Sequence, residues 1–330
     1  MRLDFIRPLY ERPGPYASVY LAGRAGPEEA AHWRGLRDQL SEADTRTLEA
    51  MEKEAARPAE GLAMFATHGE VVLAEAFTGP PAELAEWSPL PYITPMLMLR
   101  GENVPHLRVI VDLAGAELTT VGGGSPRIDT EPASTWPLLK TARGGWARTR
   151  YERGEYEATA VAHEIDEQVR RIGADLVVMA GEPRSRSLLC DHLGTKAADR
   201  LLMVERTQAD RAGFARDAEN ALDGWLDRRR AELLERYAAA PAVTGMAQVG
   251  RVLREGRAQA ILMPGELAEE IWIGPGSTQL SPDRSELRRW GVEHPVRERA
   301  DSAVARAAAM TDAELWFCPR LEDVAAVVRY

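Results

Sequence analysis

Asp175-Leu-Val-Val-Met-Ala180-Gly181-Glu-Pro183 is the stretch on which the fold turns. It is short, almost wholly apolar and closed by turn residues, which is the pattern of a strand buried on both faces, with a helix after it. On its upstream side Ala162, Ile165, Val169 and Ile172 are spaced to line one face of a helix running from about Thr149 to Ile172. Earlier still, Leu107-Arg-Val-Ile-Val-Asp112 has the β-branched character of a sheet strand, and Glu117-Leu-Thr-Thr-Val121 supplies a second strand across a short turn. That hairpin ends in Gly122-Gly-Gly124, followed by a Pro-interrupted loop. With Leu201-Leu-Met-Val204 added, the order becomes β-β-α-β-α-β, an α/β sandwich.

The flanking regions read as further α/β units. Before it come a strand at Tyr16-Ala-Ser-Val-Tyr-Leu21, a polar helical stretch from Glu28 to Arg57, and strands at Leu62-Ala-Met-Phe65 and Val71-Val-Leu-Ala74. Gly101 to Pro105 is the first domain boundary. After it a long helix spans about Ala212 to Ala239, rich in opposite charges at helical spacing and ended by Pro241. Ala258 to Met263 reads as a buried strand, Ala300 to Met310 as a helix and Glu314 to Phe317 as a strand, whereas Gly274 to Pro295 is turn-rich and reads as a mobile segment or surface insertion. The expected division is three α/β domains, 1–103, 104–211 and 212–330.

Composition narrows the function classes. The 330 residues are 45% hydrophobic and 28% charged, with no apolar run long enough for a bilayer. The N-terminal stretch Met1-Arg-Leu-Asp-Phe-Ile-Arg-Pro8 leaves no room for a secretory segment, so a cytoplasmic protein is expected. Cys190 and Cys318 are the only cysteines, and His163-Glu164 lacks the second histidine of a zinc-hydrolase helix, so neither a disulfide framework nor a metal or other cofactor is expected. A net charge of −10 argues against a generally basic, nucleic-acid-coating surface and against DNA as partner.

Against that background Lys140-Thr-Ala-Arg143-Gly144-Gly145-Trp146-Ala-Arg148-Thr-Arg150-Tyr-Glu152-Arg153 stands out, with five basic residues and one acid. Two glycines allow a tight turn, the helix that follows offers unpaired N–H groups, and arginine forks match phosphate oxygens, so the segment suits an RNA backbone. Trp146 suits stacking on an unpaired base. The alternative is a plain turn before a helix whose first turns are solvated by arginine. Arg184 and Arg186 follow a strand where an α/β sheet commonly presents ligand contacts, and an exposed pair capping the next helix is the alternative. Trp225 and Trp290 are weaker candidates, being of a type that usually anchors cores.

The run Gly144-Gly145-Trp146 leading into Arg148, Arg150 and Arg153 resembles the loop and helix of the archaeal and eukaryotic class I release factors, where Gly-Gly-Gln precedes an Arg-rich helix. Asp175 to Leu189, Tyr16 to Leu21, Gly79-Pro-Pro81, Pro91-Tyr-Ile-Thr-Pro95 and Val327-Val-Arg-Tyr330 resemble the bacterial branch of this release factor and Pelota superfamily. That branch includes the mycobacterial release-factor-like proteins and the ribosome hibernation factor Balon. The resemblance implies a ribonuclease H-like middle domain and an L7Ae-like C-terminal domain. It also implies A-site occupancy beside elongation factor Tu, with Lys140, Arg143, Gly144, Gly145, Trp146, Arg148, Arg150 and Arg153 toward rRNA of the large subunit; Arg184 and Arg186 are further candidates for rRNA contact from their place after the strand.

Position 146 departs from the family. Peptide release needs a water placed against the ester, a task tied in the family to the loop glutamine, whereas indole has one N–H donor and no acceptor. No glutamine lies between Gln39 and Gln168. The stop-codon patterns Asn-Ile-Lys-Ser and Tyr-x-Cys-x-x-x-Phe are also missing from the sequence. The expectation is therefore a non-enzymatic hibernation or stress factor. The alternative is a peptidyl-tRNA hydrolase or ribosome rescue factor with an altered loop, for which His163 and Glu164 are the nearest acid–base residues, although neighbours on a helix point in different directions.

Overall fold

The structure, a computed structural model, describes residues 1–329 apart from 23–26, 57–58, 78–80, 101–103, 112–115, 122–130, 137–146, 206–210 and 240–242. These residues form two compact units, one of 1–102 with 230–330 and one of 103–229.

The first unit begins with a 3-10 helix, Asp4–Leu9, followed by β1 (Tyr16–Ala22), α1 (Pro27–Gln39), α2 (Thr45–Ala55), β2 (Gly61–Thr67), β3 (Glu70–Phe77), β4 (Leu84–Ser88) and α3 (Thr94–Arg100). The strands make an antiparallel sheet in the order β3-β2-β1-β4. Alternation along β1 serves two cores at once. Ala17, Val19 and Leu21 meet Trp33, Leu36, Leu40, Leu48 and Met51 from the helices. Tyr16 and Tyr20 point the other way, into a cluster with Phe65, Ile93 and Met96. Asp44 caps α2, accepting from the Thr47 amide at 3.0 Å.

The second unit holds β5 (His106–Val111), β6 (Ala116–Val121), β7 (Glu131–Trp136), α4 (Ala147–Arg171), β8 (Leu176–Gly181), α5 (Pro183–Cys190), α6 (Thr195–Ala198), β9 (Leu201–Met203) and the first part of α7 (Arg211–Ala239). Its five-stranded sheet runs β7-β6-β5-β8-β9, with β5, β6 and β7 antiparallel and β8 and β9 parallel to β5. This is the ribonuclease H-like order. The expected elements are present, with two additions, β7 and the one-turn helix α6. The segment read as a Pro-interrupted loop contains β7, and its Pro132 is accommodated because β7 is an edge strand with a register irregularity beside it. Leu107, Val109, Val177 and Met179 pack on Val161, Ile165 and Val169 of α4. The opposite face, with Ile110 and Val178, packs on Phe214 and Ala218 of α7.

The rest of the first unit contains β10 (Val243–Thr244), α8 (Met246–Arg254), β11 (Ala258–Met263), β12 (Glu270–Ile273), β13 (Leu280–Ser281), α9 (Arg284–Arg289), β14 (Val296–Arg299), α10 (Ala300–Met310), β15 (Glu314–Phe317) and β16 (Ala325–Val328). A mixed sheet runs β10-β16-β11-β15 and a smaller one β13-β12-β14. Gly274 to Pro295 is not an insertion. It carries β13 and α9 and buries Leu280, Leu287 and Val292, whose spacing is too irregular to announce a strand or helix face. Ten of the eleven α10 residues are buried, which its alanines permit by allowing neighbours to approach closely on all sides. The fold is mixed α/β throughout.

Candidate nucleic-acid interface

Within the second unit, α4 is anchored from Ala158 onward. Ala158, Val161, Ala162, Ile165 and Val169 are all buried, repeating at three- and four-residue steps. Arg148, Arg150 and Arg153 lie in its first turns, ahead of that anchored face. Lys140, Arg143, Gly144, Gly145 and Trp146 lie outside the described residues, as do Gly122 to Gly124, Gly79 and Tyr330.

At the end of β8 the chain makes a close crossing. Gly181 has φ +131°, and a Cβ there would stand 1.7 Å from the Val111 carbonyl oxygen. The next amide, Glu182 N–H, donates to that same oxygen at 2.9 Å. Only glycine fits such an approach. The Glu182 carboxylate then caps α5, accepting from Ser185 N–H at 2.8 Å, and this bond with the nearby Arg184 charge holds its pKa below the ordinary value.

The two arginines of α5 part company. Arg184 is exposed on the first turn, while Arg186 is buried, donating from Nη1 to the Val204 carbonyl at 3.3 Å with Glu205 at 3.5 Å from Nη2. Arg186 therefore ties α5 to the chain after β9, and the helix cap is supplied by Glu182. His163 is exposed, and Glu164 accepts from Gln168 Nε2 at 2.7 Å. The structure does not bring these two into one acid–base pair. Trp225 is partly buried against the core between α7 and the sheet, and the Arg254 guanidinium stacks 3.9 Å from the centroid of the Trp290 ring.

A buried histidine had no sequence signal beyond its type. His106 donates from Nδ1 to the Val104 carbonyl at 2.9 Å and accepts at Nε2 from Arg108 Nε at 3.1 Å. Burial pushes its pKa down to about 4, so the ring is neutral and its tautomer is set by these two partners.

The first unit holds a polar cluster that sequence reasoning missed. Asp301, fully buried, accepts from Arg299 Nε at 3.1 Å and Nη2 at 3.0 Å, and from the Leu267 amide at 3.1 Å. Arg299 stacks 4.0 Å from the Tyr92 ring centroid, and the Tyr92 hydroxyl donates to Glu266 at 2.6 Å. Glu298 accepts from the Leu90 and Arg299 amides, each at 2.7 Å, and burial drives its pKa up to about 7. The available signal was a run of charges, Glu298-Arg299-Ala-Asp301, placed directly before a small-residue helix. Among the described residues no three His, Cys, Asp or Glu side chains gather as a metal site, and no helix is long and apolar enough to cross a membrane.

Comparison with known proteins finds a family match over part of the chain and relatives along nearly all of it. Residues 105–242 match the family described as bacterial archaeo-eukaryotic release factor family 2. Over 368 aligned positions the chain is 27% identical to the uncharacterized protein Rv2629 of Mycobacterium tuberculosis strain H37Rv, covering 100% of this chain and 97% of that one. Solved structures with similarity include an archaeal translation termination factor (15% identity, 99% and 97% coverage, TM-score 0.25) and the Pelota of a ribosome-bound archaeal complex (13%, 99% and 94%, TM-score 0.42). Residues 105–242, and with them the whole basic stretch from Lys140 to Arg153, are thus release-factor-like in sequence.

Proposed function

We propose that the chain is a ribosome-associated translation factor that occupies the A site in hibernation or stress without hydrolysing peptidyl-tRNA. In this reading the stretch Lys140 to Arg153 contacts large-subunit rRNA, Arg184 adds an exposed cation, and elongation factor Tu is the protein partner. The observation that carries the reading is a single one. The release-factor-like segment encloses a local charge of +4 in a chain of net charge −10, with Trp146 where the archaeal and eukaryotic release factors it resembles have glutamine. Arginines at a helix start can hold phosphates, while indole lacks the acceptor needed to orient a hydrolytic water.

Co-sedimentation of the purified protein with 70S ribosomes tests it. Binding is expected at low salt, falling steeply as salt rises, and changing Arg143, Arg148 and Arg150 together to Glu should weaken it on the order of a thousandfold. Binding untouched by that triple change would remove the proposed contact. A single-turnover assay on ribosome-bound peptidyl-tRNA should show no release above background, and rapid release abolished by a point change in this loop would favour the hydrolase.

A further inference from the structure

A cavity of about 690 Å³ opens in the first unit between the segment Leu9 to Tyr16 and the region of β12, β14 and α10. Leu9, Leu90 and Ile273 supply apolar wall, and Val296 and Met310, which also line it, are 44% and 38% exposed, so apolar surface continues outward from it. That volume falls in the range of small-molecule sites, which are typically apolar with a few placed polar groups.

The placed group here is Arg306, which lines the cavity and is 6% exposed. Its Nη1 donates to the Gly274 carbonyl at 3.2 Å, while Nε and Nη2 have no partner among the described residues. Nε–H and Nη2–H share one edge of the guanidinium and form the parallel pair that a carboxylate accepts in bidentate fashion. Tyr10 also lines the cavity, and its hydroxyl is likewise buried without a partner. Glu298 makes no hydrogen bond to the arginine's edge; its oxygens accept from the Leu90 and Arg299 amides. Leaving a buried cation with two unfilled donors is costly, and a ligand anion removes that cost.

The charge balance selects the anion. Arg12 also lines the cavity but is bonded to Glu70, and Glu11 adds negative charge to the wall. Among the described residues of the lining Arg306 is the one guanidinium not bonded to an acid, and with Glu11 and His294 in the same wall it suits a monoanion better than a phosphate dianion. Apolar walls suit an apolar body. We propose that this cavity binds a small monocarboxylate whose head takes the Nε/Nη2 edge of Arg306 and whose apolar chain lies against Leu9, Leu90 and Ile273. Nε, Nη2 and the Tyr10 hydroxyl are shielded from solvent, so entry of the ligand includes a turn of the guanidinium toward the cavity.

Isothermal titration of the full chain with octanoate, 1-octanol and inorganic phosphate tests this without ribosomes, so its outcome is independent of the rRNA reading. Octanoate should bind at one saturable site, at least about tenfold more tightly than octanol or phosphate, because only it fills both the fork and the apolar wall. Arg306→Lys keeps the charge but loses the fork and should weaken octanoate by about tenfold. Met310→Trp, at an exposed position, should narrow the opening and weaken binding similarly, and it decides the matter should the buried variant not fold. No saturable octanoate site, equal binding of octanol, equal binding of phosphate, or full affinity in the variants would each overturn the proposal.

Discussion

Among the described residues the unit of 1–102 with 230–330 buries four charged side chains, Glu75, Glu298, Asp301 and Arg306, and the unit of 103–229 buries only Arg186. In the unit of residues 103–229 the core is apolar around a histidine held neutral, and tightness comes from backbone, with Gly181 pressed on Val111. Arg148, Arg150 and Arg153 stand at the start of α4, ahead of the anchored face. The other unit takes charge inside, with Glu298, Asp301 and Arg306 each at most 6% exposed. A surface cation costs the fold little and remains available to a partner. A buried one binds the fold to specific neighbours, and removing one neighbour strands the other.

The comparison can be broken by three measurements. Asp301→Ala should destabilise the first unit most, by about 3 kcal/mol in urea unfolding, because Arg299 loses its buried partner and the Leu267 amide its acceptor. A loss of a few tenths would mean that the cluster is not structural. Gly181→Ala should cost the second unit about 2–3 kcal/mol, since the left-handed φ is strained for alanine and its methyl meets a carbonyl oxygen. Unchanged hydrogen exchange in β5 and β8 would contradict the close crossing.

The smallest effect is on pH dependence, and its sign differs between units. Glu298 has a folded pKa of about 7 against an ordinary 4.5, so its contribution is fully present below pH 4.5 and lost as pH rises through 7. His106 has a folded pKa of about 4 against 6.5, so its contribution is present above pH 6.5 and lost as pH falls toward 4. Between pH 5 and 7.5, exchange protection of α10 and β14 amides should fall while that of β5 rises, each on the order of 1–2 kcal/mol after correction for intrinsic rates. Glu298→Gln should flatten only the former. Parallel drift of both units would refute the assignment.

How far the sequence carried depends on the range of the interactions involved. The strands at Tyr16, Leu107 and Asp175 and the α4 face through Ala162, Ile165 and Val169 were legible because alternation and three-to-four spacing are local patterns. So was the basic stretch, a matter of composition within fourteen positions from Lys140 to Arg153. By contrast β7 was hidden by its proline, and the elements between Gly274 and Pro295 by their many turn residues.

What the sequence determined alone is the alternation of helix and strand and the one cationic segment in an acidic chain. Tertiary structure alone decided which charges are buried. Arg184 and Arg186 are two residues apart and look equivalent in sequence, yet one faces solvent and the other is held by Val204. Leu90 and Glu298 are 208 residues apart and share a hydrogen bond in the core. Burial of an ionisable group depends on partners brought from distant parts of the chain, and no local pattern encodes them.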